Sequence, residues 1–411
     1  MVVFIIDINK LYSDRAGKMR KSVIRELLKV TQDPEIISFA GGLPNPKSFP
    51  ISDIESCIHE VLKNHGRTAL QYGTTQGLRE LREAIAERSY KEGMDISADD
   101  VIIMSGSQQA LDTVGKLFLN PGDTALCGLP TYLGGINAFR SYEANLEGIP
   151  LDGDGMQIDV LEETLKKLRR NEIFPKFVYV VPTFQNPAGV IMPESRRKKL
   201  IDIANEYELF IVEDDPYGKL RYDANHIKPI KAFDDIGSVI YMSTFSKILS
   251  PGFRLAWTIA NPEATRKMII CKQALDLCTN TFTQFITLEF IKRGSLDLHI
   301  MKLCEMYKPK RDTMIEAMEK YFPDGYTCHK PKGGMFAWVT LPEGIDTEVM
   351  FLDAIKEKVA YVHGKAFHVD GGGARSMRLN FSYSTDEQLD EGMKRLGSVI
   401  KKKLEKQETV V

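Results

Sequence analysis

A lysine set directly after a buried strand, among hydroxyl groups, is an unusual reagent. The segment Ser243-Thr-Phe-Ser-Lys-Ile-Leu-Ser-Pro-Gly-Phe-Arg254 follows the apolar run Val239–Met242 and puts Lys247 in that position. Desolvation there lowers the amine's pKa and makes it a usable nucleophile. The hydroxyls of Thr244 and Ser246, with Arg254 seven residues beyond Lys247, can hold a phosphate through charge-assisted bonds. A surface lysine in a loop is the plain alternative. A second apolar run ends in three acids, Glu213, Asp214 and Asp215, followed by Pro216 and Tyr217. Such a trio is also what a solvated strand end or a helix cap looks like. Ser105-Gly-Ser-Gln-Gln-Ala-Leu111 follows the run Val101–Met104 and opens a helical pattern. Free N–H groups at a helix start bind phosphate, and an ordinary serine N-cap fits the same residues. Asn186 stands in Pro182-Thr-Phe-Gln-Asn-Pro-Ala-Gly189, where Asn-Pro alone is a turn signal. Arg378 interrupts the apolar pattern Met377–Ser382, and a buried arginine needs an anionic partner.

The elements that must position these residues follow from the apolar periodicity. Strands are expected at Val101–Met104, Thr124–Cys127, Phe177–Val181, Leu209–Val212, Val239–Met242 and Ala256–Ile259. Several are near-continuous apolar runs, as strands buried on both faces should be. Amphipathic helices lie between them: Leu161, Leu165 and Leu168 share one face, and Leu200, Ile203, Ala204 and Tyr207 another. This alternation predicts an α/β domain with a mostly parallel sheet, whose strand ends gather ligands. After about residue 295 the pattern changes to a long polar helix, Leu296–Tyr321, then short strands at Met335–Val339 and Met377–Phe381, and a last helix from Asp386. The expected organisation is an N-terminal arm (1–50), a large domain (51–295) and a smaller α+β domain (296–411). Gly371-Gly372-Gly373 reads as a loop, since no G-x-G-x-x-G follows a strand.

The chain of 411 residues is 43% hydrophobic and 27% charged, with a formal net charge of -2. That gives no electrostatic reason to expect nucleic acid or an anionic membrane as partner. The lysines of 401–406 continue a helical pattern and read as a solvated helix end. Six cysteines are scattered without C-x-x-C or metal-site spacing, which suits reduced thiols in the cytoplasm and no metal. The apolar start, Met1–Ile8, is short, contains Asp7 and lacks a basic flank, so neither a signal peptide nor a membrane span is expected.

Taken in order along the chain, these segments resemble the class I aminotransferases, enzymes of fold-type I that depend on pyridoxal 5'-phosphate (PLP). They look most like the 2-aminoadipate/kynurenine branch, from about Arg25 to Ser382. The pattern S-x-S-K-x-x-x-P-x-x-R fits as Thr244, Ser246, Lys247, Pro251 and Arg254, and N-P-x-G as Asn186, Pro187 and Gly189. The resemblance implies an enzyme that moves an amino group between an amino acid and a 2-oxo acid through a Lys247 Schiff base. It assigns Asp214 to the pyridine nitrogen, and Tyr217 and Asn186 to the ring oxygen. Ser107, Gln108, Thr244, Ser246 and Arg254 go to the phosphate, and Tyr132 to the pyridine face. Arg378 takes the substrate α-carboxylate, with Gly41 and Gly42 allowing close backbone approach and Arg25 near the substrate side chain. Tyr72 matches a tyrosine that reaches the neighbouring subunit's phosphate, which implies a homodimer.

One departure stands out. The late loop of the family reads P-G-x-x-F, whereas this chain has His363-Gly-Lys-Ala-Phe367. His363 and His368 read as loop residues and not metal ligands. A PLP-dependent lyase or an ACC-synthase-like enzyme of the same fold would use the same cofactor residues. A transcriptional regulator with an aminotransferase-like domain would need a DNA-binding domain ahead of it, and only about forty residues precede Gly41.

Overall fold

The computed structural model describes residues 6–19 and 33–408. In chain order the strands are β1 (Ile37–Ser38), β2 (Val101–Met104), β3 (Thr124–Leu129), β4 (Asn145–Asp152), β5 (Gly155–Met156), β6 (Phe177–Val180) and β7 (Phe210–Asp214). They continue as β8 (Val239–Thr244), β9 (Ala256–Ile259), β10 (Thr327–Cys328), β11 (Phe336–Thr340), β12 (Val359–Ala360), β13 (Val362–His363) and β14 (Ser376–Asn380).

Eight strands form one sheet in the order β2-β9-β8-β7-β6-β3-β4-β5. Strands β8, β7, β6, β3 and β4 pair in parallel, while β9 runs against both its neighbours. The expected apolar runs all lie in this sheet, and both its faces are covered. Tyr179, Val212 and Met242 face one layer, with Leu111 and Val114 of the helix Ser107–Phe118 and Phe139 of the helix Leu133–Arg140. Val178, Val180 and Ile211 face the other, against Leu161 and Leu165 of the helix Ile158–Arg170 and Leu200 of the helix Glu194–Glu206. Strand β4 has no counterpart in the sequence reading. Its residues Asn145-Leu-Glu-Gly-Ile-Pro-Leu-Asp152 are largely half-exposed, so it lacks the apolar run that marks a strand buried on both faces.

The second sheet, β10-β11-β14-β13, is antiparallel throughout. The long helix Ser295–Tyr321 packs on the final helix Asp386–Glu408 beside it. Residues 37–43 tie the two parts together. Strand β1 pairs in parallel with β12, the Asn380 N–H donates to the Phe39 carbonyl at 2.9 Å, and the chain then passes on to the end of the large sheet. His363 was expected in a loop; instead it pairs with Met377 across β13 and β14 and is buried. A β-paired position accommodates a histidine more readily than a proline, which lacks the N–H of a strand residue.

Candidate active site

The ends of the parallel strands deliver the chemically distinctive residues to one cavity of about 530 Å³. Ser107 and Gln108 follow β2, Tyr132 follows β3, Asn186 follows β6, Asp214 ends β7, and Thr244, Ser246 and Lys247 follow β8; Arg254 precedes β9. Arg378 enters from β14 of the smaller sheet, so the cavity lies between the two sheets.

Strand parity decides among the three acids. Asp214 shares the face of Val212 and lines the cavity. Glu213 points the other way and accepts the N–H groups of Ile230 at 2.8 Å and Lys231 at 2.9 Å. Asp215 turns into the loop, accepting from Gly218 N–H at 3.0 Å and Tyr241 hydroxyl at 3.2 Å. Asp214 accepts the Tyr179 hydroxyl on Oδ2 at 2.8 Å, whereas its Oδ1 is buried with no partner among the described residues. Burial, opposed by the Tyr179 bond, pushes its acid up to about 7. A carboxyl kept in that condition is ready for a cationic N–H donor, which would return it to the charged form.

Lys247 Nζ donates to the Gly42 carbonyl at 2.8 Å. Burial, then the positive charges of Arg378 and Arg254, bring its pKa down to about 8. Of the two glycines singled out in the sequence, Gly42 lines the cavity, and Gly41 lies between the two carbonyls, Ala40 and Gly42, that the site's cations use.

Arg378 is fully buried. It donates to Asn186 Oδ1 at 2.9 Å and to the Ala40 carbonyl at 2.8 Å, and its Nε has no partner among the described residues. Its guanidinium carbon lies 4.2 Å from the Phe336 ring centroid and 5.0 Å from that of Phe367. Desolvation lowers its pKa to about 10, so the group is still charged at neutral pH and short of an anion. Asn186, fixed by Arg378, donates through Nδ2 to the Tyr217 hydroxyl at 3.2 Å. These two donors thus form one chain with the arginine.

The helix start sets a glycine turn against the Arg254 guanidinium. Its N-cap is Gly106 and not a serine; φ is +87°, and a Cβ there would sit 2.2 Å from Arg254 Nη2. Only glycine allows both the turn and the close approach of the guanidinium. Ser107 Oγ is buried without a partner among the described residues. Arg254 itself adopts φ +54°, ψ +45°, a left-handed conformation that is strained for a non-glycine residue and concentrates at functional sites. Thr244 Oγ1 accepts the Ser246 N–H at 3.0 Å and lies 2.9 Å from Ser246 Oγ, which fixes the turn leading to Lys247. Tyr72 does not reach the cavity of its own chain and is 79% exposed. Arg25 lies outside the described residues. Tyr179 and Phe336 escaped the sequence reading, which met Phe367 only as the end of the late loop. A tyrosine in an apolar strand run was the available signal for the first, since a buried hydroxyl requires a partner.

A family model described as aminotransferase class I and II matches residues 43–396. The chain belongs to this family. Aromatic-amino-acid aminotransferase 1 of Thermococcus litoralis is 50% identical over 98% of this chain and 96% of its own. The structure of a kynurenine aminotransferase from Pyrococcus horikoshii, in complex with PMP, with KYN as substrate and KYA as product, superposes with a TM-score of 0.94. It is 50% identical and covers 97% of this chain and 98% of its own. An α-aminoadipate aminotransferase from Thermus thermophilus, complexed with N-(5'-phosphopyridoxyl)-L-leucine, gives a TM-score of 0.90 at 36% identity, covering 97% of this chain and 99% of its own. This aminotransferase is therefore a PLP-dependent transaminase of fold-type I, and not a lyase. Its site fits that cofactor on local chemistry alone: an orphaned carboxylate oxygen for a ring N–H, an orphaned hydroxyl and a glycine-arginine cradle for a phosphate, and an amine of lowered pKa for an aldehyde.

Proposed function

We propose that Lys247 is the amine that binds the cofactor and then moves the proton at the substrate α-carbon. The observation that carries this reading is the buried amine of Lys247 facing the same cavity as Asp214 and Arg378. Bound PLP supplies an electron sink for the developing carbanion and the carbonyl carbon that receives the amino group. Asp214 Oδ1 holds the pyridine N–H. Tyr217 and Asn186 donate to the ring oxygen, Ser107, Gln108, Ser246 and Arg254 hold the phosphate, Thr244 shapes the turn behind them, and Tyr132 covers the ring face. Arg378 grips the substrate α-carboxylate with a bidentate fork, and the Gly41–Gly42 backbone closes over it. Lys247, near neutral charge balance at about pH 8, accepts the α-proton and returns it.

Large apolar and aromatic amino acids are the proposed donors, with 2-oxoglutarate as acceptor. Leu43, Leu133 and Phe336 line the cavity, and the relatives named for aromatic amino acids and kynurenine support the reading. Arg25 is proposed near acidic side chains. The enzyme is proposed to be a homodimer, with Tyr72 reaching the partner's phosphate site; Leu70 and Tyr72 stand 71% and 79% exposed in the single chain, which suits a covered surface. A cytoplasmic location is supported by six free cysteines. A panel of amino acids incubated with 2-oxoglutarate tests the donor class. Glutamate and the matching 2-oxo acid should form together, fastest for phenylalanine and tyrosine; turnover confined to small donors such as alanine would overturn it.

A further inference from the structure

We infer that Tyr179 is a positioning residue for Asp214, occupying one carboxylate oxygen so that the other is presented, charged, to the cofactor's ring nitrogen. The inference rests on the reading of Asp214 as the partner of that nitrogen.

The strand register places the two side chains together. Tyr179 on β6 pairs with Val212 on β7, and Asp214, two residues further on, is its diagonal neighbour on the same face. The hydroxyl donates to Oδ2 at 2.8 Å, while Oδ1 remains buried and unpartnered among the described residues. A carboxylate with one oxygen anchored has little freedom to turn, so the free oxygen keeps a fixed direction.

The anchor is itself fixed. The Tyr179 ring is fully buried and meets the Phe139 ring edge-on, with centroids 5.5 Å apart and planes at 74°. Gly135, one turn before Phe139 on the same helix Leu133–Arg140, also faces the ring. A Cβ added there would come within 2.9 Å of Cε1 and 3.4 Å of the hydroxyl oxygen. The glycine leaves the room that the ring occupies, so the packing holds the hydroxyl against Asp214.

The bond also has a sign. Burial raises the Asp214 acid and the neighbouring Asp215 carboxylate raises it further; the Tyr179 hydroxyl alone acts to lower it. Tyr132 and Tyr217 are the other ionisable groups near the Tyr179 hydroxyl, and both are phenols that stay neutral at working pH. A donor to the charged form favours that form. Without it the carboxyl binds its own proton more readily, and a neutral acid does not hold a protonated pyridine.

The test is the nitrogen-15 resonance of ring-labelled PLP bound to the unmodified enzyme, to Tyr179→Phe and to Asp214→Asn. Phenylalanine keeps the ring and its packing, so a purely structural tyrosine would leave the resonance in place. The expected result is a protonated nitrogen in the unmodified enzyme, full displacement toward the unprotonated position in Asp214→Asn, and partial displacement in the same direction in Tyr179→Phe. PLP affinity should fall roughly tenfold in Tyr179→Phe, in line with loss of a hydrogen bond to a charged group. If Asp214→Asn moves the resonance and Tyr179→Phe leaves both resonance and affinity unchanged, the inference fails and the reading of Asp214 stands. If neither variant moves it, both fail. Should Tyr179→Phe not fold, Gly135→Ala carries the same test by crowding the hydroxyl off Asp214, with the same expected and overturning results.

Discussion

Replacing Arg378 with lysine separates a binding fork from a simple positive charge. The arginine spends one N–H on Asn186 and one on the Ala40 carbonyl, packs against Phe336 and Phe367, and leaves Nε, fully buried, unpartnered among the described residues. Lysine keeps the charge but offers a single point of contact and no planar face. At least one charge-assisted bond to the substrate carboxylate is then lost, worth about 1.5–3 kcal/mol. At about 1.4 kcal/mol per decade, kcat/KM should fall roughly tenfold to 150-fold. Every amino donor and every 2-oxo acid carries the same carboxylate, so the loss should be the same for all of them within a small factor. Loosening Asn186, which Arg378 fixes toward Tyr217, should also shift the cofactor absorbance. Steady-state kinetics on phenylalanine, alanine, glutamate and their oxo acids measures the ratio. A loss confined to one side-chain class, or none at all, would refute the assignment of Arg378 to the shared carboxylate.

Three further outcomes follow from the same geometry. Asp214→Asn should reduce kcat by orders of magnitude with the fold intact, while Asp215→Asn, whose carboxylate serves Gly218 and Tyr241, should be far milder; a reversed order in stopped-flow assays would show that the wrong acid had been chosen. In the cofactor-free enzyme, acetylation of Lys247 followed by mass spectrometry should rise with a midpoint near pH 8; because burial lowers the amine's pKa, roughly half is free base there, against under about 1% for an ordinary lysine, and a midpoint above pH 10 would contradict the desolvated amine. Mixing inactive Tyr72→Phe and Lys247→Ala subunits should restore activity, since a heterodimer holds one site with both lesions and one with neither; an active monomer by sedimentation at assay concentration would end the shared-site proposal.

Much of the large sheet was readable because its strands are buried on both faces and so are written as apolar runs. Strand β4, next to the two-residue edge strand β5, was not, since glutamate, glycine and aspartate interrupt its pattern. The sequence leaves Glu213, Asp214 and Asp215 equivalent by type; alternation of side chains along β7 is what sends only one to the cavity. Residues 37–43 hold a strand of only two residues, too short for any periodicity, yet the carbonyls of Ala40 and Gly42 just beyond it meet Arg378 and Lys247. The aromatic pair around Arg378 comes from two elements, β11 and the turn at Phe367, that only folding brings together. His363 shows the reverse case, where a departure from a motif marked a residue that packs within a sheet and away from the cavity.

The central claim is that one buried lysine among many carries the cofactor. Borohydride reduction of the yellow holoenzyme, followed by proteolysis and mass spectrometry, should place the pyridoxyl group on Lys247, and Lys247→Ala should take up no label while still binding PLP through the phosphate cradle. Label on another lysine, such as Lys219 beside Glu92, would contradict the account.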